Sequence, residues 1–347
     1  MTLDRQRVLV TGGTGSLGKA LVRRLLSGEV GTPASVTVFS RDEAKQHEMR
    51  LAWRELSAAT DEIIYRNAQE RLAFSIGDVR DFSSVAAAVR ESDVIFHAAA
   101  MKQVPTCEYF PYEAVLTNVL GARNLVRAVR ESGSPTRVVV GISTDKACKP
   151  INVMGMTKAI QERVLVEGNL NTPQTRFVCV RYGNVIASRG SVIPLFQDQI
   201  RRGGPVTITL PEMTRFLLSL DQAVDSVIAA LRYALPGETY VPMVAGARVV
   251  DIAEVFMNGR DIPIIYTGIR PGEKIHEILV SEEECYRTIE RDGYYVIRPM
   301  LPELRQGGEE KQALNDEYSS QHATLDQDAL RELLAPYIEP ALTRVPA

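Results

Sequence analysis

Several residue types that mark particular protein classes are scarce in this sequence of 347 residues. Its four cysteines, Cys107, Cys148, Cys179 and Cys285, lie far apart and form no CxxC pair, which argues against a zinc site or a disulfide framework. We expect buried free thiols instead. The four histidines also lack the spacing of metal ligands, so no metal is predicted.

An excess of charge and long apolar runs are likewise missing. The net charge of −3 gives no general reason to expect a nucleic acid or an anionic membrane as partner. No apolar run approaches the roughly 20 residues that a membrane span needs. The stretch Met1–Arg7 leads straight into a strand without a signal-peptide core. We therefore expect a cytoplasmic protein.

A glycine-rich turn between a strand and a helix is the first positive signal. Arg7–Val10 is a short apolar strand, Thr11–Gly18 is the turn, and Lys19–Leu26 is helical. Its glycines allow a tight turn, close approach to a pyrophosphate and close helix–sheet packing, and the helix N-terminus supplies N–H donors. This context favours dinucleotide binding over an ordinary turn. The cofactor-binding residues predicted here are Gly12, Thr14, Gly15, Ser16, Leu17 and Gly18.

The end of the second strand bears on the choice of dinucleotide. Ser35–Phe39 is followed by Ser40, Arg41 and Asp42. An acidic residue here would bind a ribose 2′-hydroxyl and favour NAD, whereas an arginine accommodates a 2′-phosphate. Because Ser40 and Arg41 come first, we predict NADP, with a solvated surface charge as the alternative for Arg41.

Two further strand ends extend the predicted cofactor site. Leu72–Ile76 is followed closely by Asp78, whose carboxylate can accept a hydrogen bond from an adenine amino group. Ser92–Phe96 is followed by small residues that let the backbone approach a dinucleotide. The prediction therefore includes Asp78, Val79, Ala98 and Ala99.

The candidate chemical centre follows the next strand. Arg137–Ile142 is an apolar run typical of a strand buried on both faces, and Ser143–Lys146 comes at its carboxyl end. In an open parallel sheet that end faces the ligand crevice. Lys158 then opens a helical pattern. Ser, Asp and Lys at a strand end, with a second lysine on the next helix, suit hydride-transfer chemistry.

Strand–helix alternation over roughly the first 185 residues predicts an α/β fold, a Rossmann-type doubly wound parallel sheet. We expect an NADP-binding domain at 1–185, to which some later segments return, and a smaller C-terminal substrate domain at 186–302. Residues 303–347 form a polar arm, which reaches a neighbouring subunit or folds back, and a last helix. Later predicted elements are a strand at Thr207–Leu210 and helices at Leu220–Ala234, Ile275–Leu279 and Asp326–Tyr337.

These motifs resemble the extended short-chain dehydrogenase/reductase superfamily, and within it the inverting UDP-N-acetylglucosamine 4,6-dehydratases of surface-polysaccharide pathways. The likeness spans nearly the whole chain, and Asn315–Ser320 resembles the capsule-pathway branch. The motifs that carry it are Thr11–Gly18, Ser40–Glu43, Gly77–Asp81, His97–Lys102, Ser143–Lys146, Arg181–Val185, Ser188–Ser191 and Arg270–Lys274.

One position departs from the superfamily pattern. The usual Tyr-x-x-x-Lys is replaced by Met154-x-x-x-Lys158. A thioether has no titratable proton, so the tyrosine's role must pass to another group or be lost. The capsule branch tolerates methionine here, so the departure narrows the choice of subfamily to that branch.

The resemblance implies an NADP-dependent lyase that converts UDP-N-acetylglucosamine into a UDP-2-acetamido-2,6-dideoxy-4-hexulose with inversion at C5. It implies that Lys146 is the base at C5, Asp145 the acid for the C6 hydroxyl, Thr144 a further catalytic residue, and Lys158 a ligand of the nicotinamide ribose. With Met154 in place of tyrosine, our hypothesis is that Lys146 also takes the C4 hydroxyl proton, directly or through water.

Other residues are implied as ligands of the nucleotide sugar or, for Val185, of the cofactor. They are Lys102, Asn184, Val185, Arg189, Gly190, Ser191, Val192, Arg215 and Glu273. A structural salt bridge is an equal alternative for Lys102, Arg189 or Arg215, and a helix cap is one for Glu273. Glu108 is expected to position substrate or to start a helix rather than to transfer protons. The family also implies a homo-oligomer, a hexamer or a dimer.

Two rival functions remain open. The first is a UDP-N-acetylhexosamine 4-epimerase on the same scaffold, although epimerases rely on the missing tyrosine. The second is a catalytically silent NADP-binding regulator, which Met154 suggests and which the retained Asp145, Lys146 and Lys158 oppose.

Overall fold

A computed structural model describes residues 1–55, 62–186, 192–305, 310–322 and 324–338. The helices are α1 (Ser16–Leu26), α2 (Glu43–Glu55), α3 (Glu62–Arg71), α4 (Phe82–Val89), α5 (Val104–Tyr109), α6 (Pro111–Ala114), α7 (Gly121–Glu131), α8 (Val153–Asn171), α9 (Val192–Arg201), α10 (Leu220–Tyr233), α11 (Val249–Met257), α12 (Glu282–Cys285) and α13 (Gln327–Leu334). A π-helical turn, Val115–Leu120, joins α6 to α7, and Asp145–Ala147 forms one turn of 3-10 helix.

The strands are β1 (Arg7–Thr11), β2 (Ser35–Ser40), β3 (Leu72–Ile76), β4 (Val94–His97), β5 (Val138–Ile142), β6 (Arg176–Val180), β7 (Asn184–Val185), β8 (Val206–Ile208), β9 (Thr214–Leu218), β10 (Thr239–Pro242), β11 (Gly246–Arg248), β12 (Ile264–Tyr266), β13 (Ile278–Val280), β14 (Thr288–Arg291), β15 (Tyr294–Ile297) and β16 (Tyr318–Ser319).

The central sheet confirms the predicted fold class. Within the described ranges it has nine strands in the order β14-β15-β10-β6-β5-β4-β1-β2-β3. Strands β1 to β6 and β10 run parallel, and β14 and β15 continue the sheet as antiparallel neighbours. The strand order reverses between β1 and β4, which in a doubly wound sheet is where ligands bind beyond the carboxyl ends of the strands.

The core of this sheet follows from its apolar strands. β4 and β5 are buried at every position, as the apolar runs predict for central parallel strands. Helices α4, α7 and α8 pack together over one cluster that includes Leu9, Ile95, Leu125, Val139 and Phe177. Each such side chain contributes roughly 1.5–3 kcal/mol by leaving water, so this cluster is a main source of stability.

The chain divides into two compact units. The sheet unit contains Met1–Tyr182, Leu220–Met243 and Leu279–Glu317, and the second unit contains Gly183–Ser219, Val244–Ile278 and Tyr318–Ala347. The later segments of the sheet unit carry β10, which pairs with β6, then β15, which pairs with β10, and β14, which pairs with β15. The substrate-binding role given to residues 186–302 stays a prediction.

The second unit has its own core. Strands β7, β9 and β11 form a three-stranded sheet, and β8 pairs with β12 in parallel. Helices α9, α11 and α13 contribute Phe196, Ile252 and Leu330, all fully buried, to one apolar cluster.

Most of the predicted elements are found, with one clear error. β3 and β6 have the predicted bounds. The predicted helix from Asp42 to about Ala59 corresponds to α2, and residues 56–61 lie outside the described ranges. The predicted helix Ile275–Leu279 is wrong. The Ile275 carbonyl accepts from Thr214 N and the Glu277 N–H donates to Ser320 Oγ, so long-range partners hold this segment extended.

Residues of the polar arm form hydrogen bonds with α12 and β14. Ala313 N donates to the carbonyl of Thr288, and the Cys285 thiol donates to the carbonyl of Asp316. All four cysteines are buried free thiols, as predicted. In the part of the chain that the structure describes, no helix combines the length and the apolar character needed to cross a membrane.

Gly246 offers a test of packing in the second unit. A Cβ at this position in β11 would lie 2.2 Å from the carbonyl oxygen of Ser320, a backbone atom that cannot rotate away. We expect Gly246→Ala to destabilise the protein by about 1–3 kcal/mol through overpacking, measured as a lower thermal unfolding midpoint.

The control is Gly168→Ala in α8. Its Cβ would meet only side-chain atoms, at 3.2 Å, and alanine gains up to about 1 kcal/mol of helix propensity over glycine. The control should lower the midpoint by clearly less than Gly246→Ala does, because side-chain atoms can shift where the Ser320 backbone cannot. An equal loss in both variants would contradict the packing explanation.

Candidate active site

The glycine-rich turn passes very close to the end of β4. Gly12 has φ +69°, and a Cβ there would lie 2.8 Å from the carbonyl oxygen of Ala98. A Cβ on Gly18 would lie 2.5 Å from the Cα of Gly13, so both positions require glycine. Helix α1 begins just after the exposed Gly15. A close backbone passage ending in an open helix N-terminus fits a dinucleotide pyrophosphate.

The end of β2 carries the residues that bear on cofactor choice. Ser40 Oγ lies 3.1 Å from Thr14 Oγ1 and joins β2 to the turn. The Asp42 carboxylate forms an ion pair with Lys45 and accepts from the Lys45 N–H. Arg41 is 59% exposed and lies 3.7 Å from Asp78. The acid that could signal NAD is therefore engaged by Lys45, while the Arg41 guanidinium is accessible.

Asp78 is held by a second arginine. Arg80 Nη2 lies 2.6 Å from the Asp78 carboxylate. Burial favours the neutral acid, but the hydrogen bonds from Arg80 outweigh it and lower the pKa of Asp78. Asp78 is therefore an anionic acceptor at the end of β3.

The three predicted catalytic residues lie together beyond β5. The Asp145 N–H donates to the carbonyl of Tyr182, which fixes this turn to the end of β6. Thr144 Oγ1 donates to Asp145 Oδ1 at 2.7 Å, and Lys146 Nζ donates to the same oxygen at 3.1 Å. Asp145 is buried, whereas the Lys146 side chain is 22% exposed. The turn therefore places a carboxylate and an ammonium group in direct contact, with the ammonium group partly accessible.

Lys158 lies on α8 and is buried. Its ammonium donates to the carbonyl of Ile142 and, at 2.8 Å, to Gln161 Oε1. Burial lowers the pKa of Lys158 to about 8, against the opposing charge of Glu162. Lys158 therefore braces the end of β5, and its predicted contact with the nicotinamide ribose stays a prediction.

Met154 occupies an apolar environment. It is buried and packs with Cys107 and Ala114, beside Met101 and Val104. The position of the superfamily's tyrosine is therefore filled by an apolar side chain in an apolar cluster.

The first turn of α8 touches the Asp145–Ala147 turn. A Cβ on Gly155 would lie 2.2 Å from the carbonyl oxygen of Lys146, so only glycine fits this contact. Asn152 caps the helix by accepting from Gly155 N at 2.8 Å, and Glu108 Oε1 accepts from Val153 N at 2.7 Å. Glu108 therefore serves the start of a helix, one of the two roles favoured for it from sequence.

A buried arginine network was not foreseen from sequence. Arg181 donates to both oxygens of Glu162, at 3.0 and 2.7 Å, and to both oxygens of Glu284, at 2.6 and 3.1 Å. Burial favours the neutral acid, but Arg181 outweighs it and lowers the pKa of Glu284 to about 2. The available signal was a charge directly after the apolar run of β6, which implies a buried partner.

His97 is a second residue that sequence reasoning passed over. It lies buried at the end of β4, with Nδ1 2.9 Å from Thr11 Oγ1. Burial, with a smaller effect of Lys158, lowers the pKa of His97 to about 3, so the ring is neutral. Its place beside the alanines at this strand end was the available signal.

The implied substrate ligands of the second unit have protein partners. Arg215 is buried and donates to the carbonyls of Thr214 and Ile275, at 2.7 and 3.1 Å. Glu273 accepts from Thr209 Oγ1 at 3.3 Å. These contacts orient both side chains and leave their ligand roles as predictions.

The predicted site residues are distributed as follows. The sheet unit contains most of them, at its glycine-rich turn, beyond its strand ends and on α8: Gly12, Thr14, Gly15, Ser16, Leu17, Gly18, Ser40, Arg41, Asp78, Val79, Ala98, Ala99, Lys102, Thr144, Asp145, Lys146 and Lys158. The second unit contains Asn184, Val185, Val192, Arg215 and Glu273. Arg189, Gly190 and Ser191 lie outside the described residues.

The sheet topology and the glycine-rich turn define a Rossmann-type dinucleotide-binding fold. A family profile described as "Polysaccharide biosynthesis protein" matches residues 8–299, and the chain belongs to this family. The expected link to polysaccharide biosynthesis is thereby confirmed at the level of the family, and the UDP-N-acetylglucosamine 4,6-dehydratase assignment stays a prediction.

Individual relatives agree with this assignment. A Rickettsia prowazekii (strain Madrid E) protein named UDP-glucose 4-epimerase is 41% identical over 338 residues, which cover 94% of each chain. The solved structure of Pen from Bacillus thuringiensis is 34% identical with a TM-score of 0.84, covering 97% of this chain and 100% of Pen. DesIV from Streptomyces venezuelae, a dTDP-glucose 4,6-dehydratase solved with NAD and TYD, shares the fold at 22% identity and TM-score 0.65, covering 78% of this chain and 86% of DesIV.

The Arg181 network predicts a pH-dependent loss of stability in Glu284→Gln. Removing one partner of a buried pair leaves a charge unpaired, so we expect a loss of about 3 kcal/mol or more at pH 7. The pKa of Glu284 is lowered from an ordinary 4.5 to about 2. Its stabilising contribution is therefore complete above pH 4.5 and declines as the pH falls toward 2.

Urea unfolding at pH 7 and pH 4 measures this difference. The gap between wild type and Glu284→Gln should narrow at pH 4. The control is Glu282→Gln, on the same short helix with its side chain 63% exposed, which should stay within about 0.5 kcal/mol of wild type. A gap of equal size at both pH values would contradict the assignment to the Glu284 charge.

Proposed function

We propose that this protein is an NADP-dependent UDP-N-acetylglucosamine 4,6-dehydratase that inverts C5 and produces a UDP-2-acetamido-2,6-dideoxy-4-hexulose. The coarser statement, an enzyme that modifies a nucleotide sugar, rests on the family and on relatives named for such activities. The finer one rests on a single observation, the 3.1 Å contact between Lys146 and Asp145 at the end of β5.

The elimination step needs an acid and a base at the same time. Neutral Lys146 takes the C5 proton, the C5–C6 double bond forms, and the C6 hydroxyl leaves as water with the proton of Asp145. The products of this step are a lysinium and a carboxylate, the ion pair that Lys146 and Asp145 form. Their contact then allows the proton to return from lysine to aspartate for the next cycle.

The C4 hydroxyl proton also needs an acceptor. Met154 cannot supply one, and its neighbours Cys107 and Ala114 belong to an apolar cluster. Lys146 is partly exposed and has a basic nitrogen. Lys146 therefore takes this proton first, directly or through water, and releases it to solvent before it accepts the C5 proton as a neutral amine.

The glycine-rich turn, Arg41 and Lys158 hold the dinucleotide in this proposal. When bound, the nicotinamide supplies reversible oxidation and reduction of the sugar. The open N-terminus of α1 carries the pyrophosphate, and Arg41 faces a 2′-phosphate.

A UDP-sugar 4-epimerase is the second candidate, since a relative of 41% identity carries the name UDP-glucose 4-epimerase. Incubation with UDP-N-acetylglucosamine in heavy water separates the two. Loss of one water, a new C6 methyl group and deuterium at C5 with altered coupling, read by proton NMR and mass spectrometry, support the dehydratase. Inverted C4 without water loss supports the epimerase, and no conversion of this or related sugar nucleotides supports a silent binder.

Lys146→Ala tests the two roles of Lys146. General base catalysis contributes typically 10²–10⁴-fold, so we expect turnover to fall by at least about 10²-fold. Because Lys146 also takes the C4 proton, the variant should give no substrate-dependent rise in absorbance at 340 nm. A variant that still reduces bound NADP with substrate would contradict the second role. Lys311→Ala, a change to an exposed lysine of the polar arm with no predicted site role, is the comparison that should keep the 340 nm signal.

Arg41→Ala tests the cofactor prediction. The exposed guanidinium would face a 2′-phosphate, so its loss should weaken NADP binding about tenfold or more and leave NAD binding within about twofold. Calorimetric titration of both dinucleotides measures the ratio. Equal effects on NAD and NADP, or none, would argue that Arg41 only pairs with Asp78.

A further inference from the structure

A residue just after the Asp145–Ala147 turn has an unusual backbone. Lys149 has φ +43°, in the left-handed region that favours glycine. It directly follows Cys148, whose N–H donates to the carbonyl of Asp145 and closes the 3-10 turn. A lysine in this conformation persists only when its surroundings hold it there.

The Lys149 side chain shows what holds it. Its ammonium lies 2.7 Å from Glu317 Oε2 and 3.8 Å from Glu282 Oε1. The Glu317 side chain is 16% exposed and that of Glu282 is 63% exposed. Since exposed pairs are screened by solvent, Glu317 is the dominant partner.

Glu317 is itself fixed, because the arm that carries it is attached to the sheet unit. The carbonyl of the preceding Asp316 accepts from the Cys285 thiol at 3.0 Å, and Ala313 N donates to the Thr288 carbonyl at 2.9 Å. Cys285 lies on α12, and the same helix carries Glu284, which binds Arg181. The arm is thus anchored to a segment that the buried charge network immobilises.

The Asp145–Ala147 turn also contacts α8, where Gly155 touches the Lys146 carbonyl. We propose that Glu317, acting through Lys149, is a positioning residue that holds the Asp145–Ala147 turn against α8 and keeps Lys146 in contact with Asp145. The catalytic part of this inference rests on the proposed function, whereas the mechanical part does not.

The test combines hydrogen–deuterium exchange of residues 143–150 with steady-state kinetics on UDP-N-acetylglucosamine. Glu317→Gln and Lys149→Met should exchange at least about tenfold faster in this segment, with β1 unchanged as the internal reference. Their kcat should fall about tenfold or more because small misplacements of reacting groups are costly. KM should stay within about twofold, since neither residue is among the predicted substrate ligands.

Three further variants separate the ion pair from other causes. Lys149→Arg keeps the pair and Glu282→Gln leaves it intact, so both should match wild type within about twofold. Lys149→Gly suits the left-handed backbone but lacks the pair, and it should exchange as fast as Lys149→Met. Wild-type exchange in Lys149→Gly would show that backbone conformation alone holds the turn, which would overturn the proposal.

Failure of the proposed function gives a different result from failure of this inference. If wild type converts no sugar nucleotide, the function is wrong, and the exchange measurement still decides whether Glu317 holds the turn. Unchanged exchange in Glu317→Gln, or equal acceleration in Glu282→Gln, overturns the positioning role even in an active enzyme.

Discussion

The buried guanidinium of Arg181 is the constraint on which the geometry of the site depends. Its charge is satisfied by two carboxylates, Glu162 on α8 and Glu284 on α12, so the end of β6 cannot move away from either helix without leaving a buried charge unpaired. The next residue, Tyr182, accepts the Asp145 N–H. The Asp145–Ala147 turn is therefore hydrogen-bonded to a strand end that two helices, α8 and α12, hold in place.

Three lysines near the end of β5 differ in their burial and in the groups to which they donate hydrogen bonds. Lys158 is buried against a carbonyl and an amide oxygen, so desolvation dominates and lowers its pKa to about 8. Lys149, only nine residues earlier in the chain, meets Glu317, whose hydrogen bond raises the pKa of Lys149. Lys146 touches a buried aspartate and remains partly exposed. Lys158 thus stabilises the end of β5, Lys149 forms an ion pair with the arm, and Lys146 is the candidate base.

Local patterns in the sequence were sufficient for the strands, the glycine turn and the gathering of Thr144, Asp145 and Lys146 at one strand end. They failed at Ile275–Leu279, where a helical spacing of apolar residues was outweighed by hydrogen bonds to Thr214 and Ser320. They also could not say that Met154 would enter an apolar cluster, since that depends on the surroundings of Cys107 and Ala114.

The sequence by itself determined the Rossmann-type sheet, because side-chain periodicity and the glycine spacing act over a few residues. It also determined which residues follow the ends of the parallel strands. Only the tertiary structure decided which charges meet. Arg181 and Glu284 are 103 positions apart, and Lys149 and Glu317 are 168 apart. No local pattern encodes such pairs, because each forms only after the sheet, α12 and the arm have packed against one another.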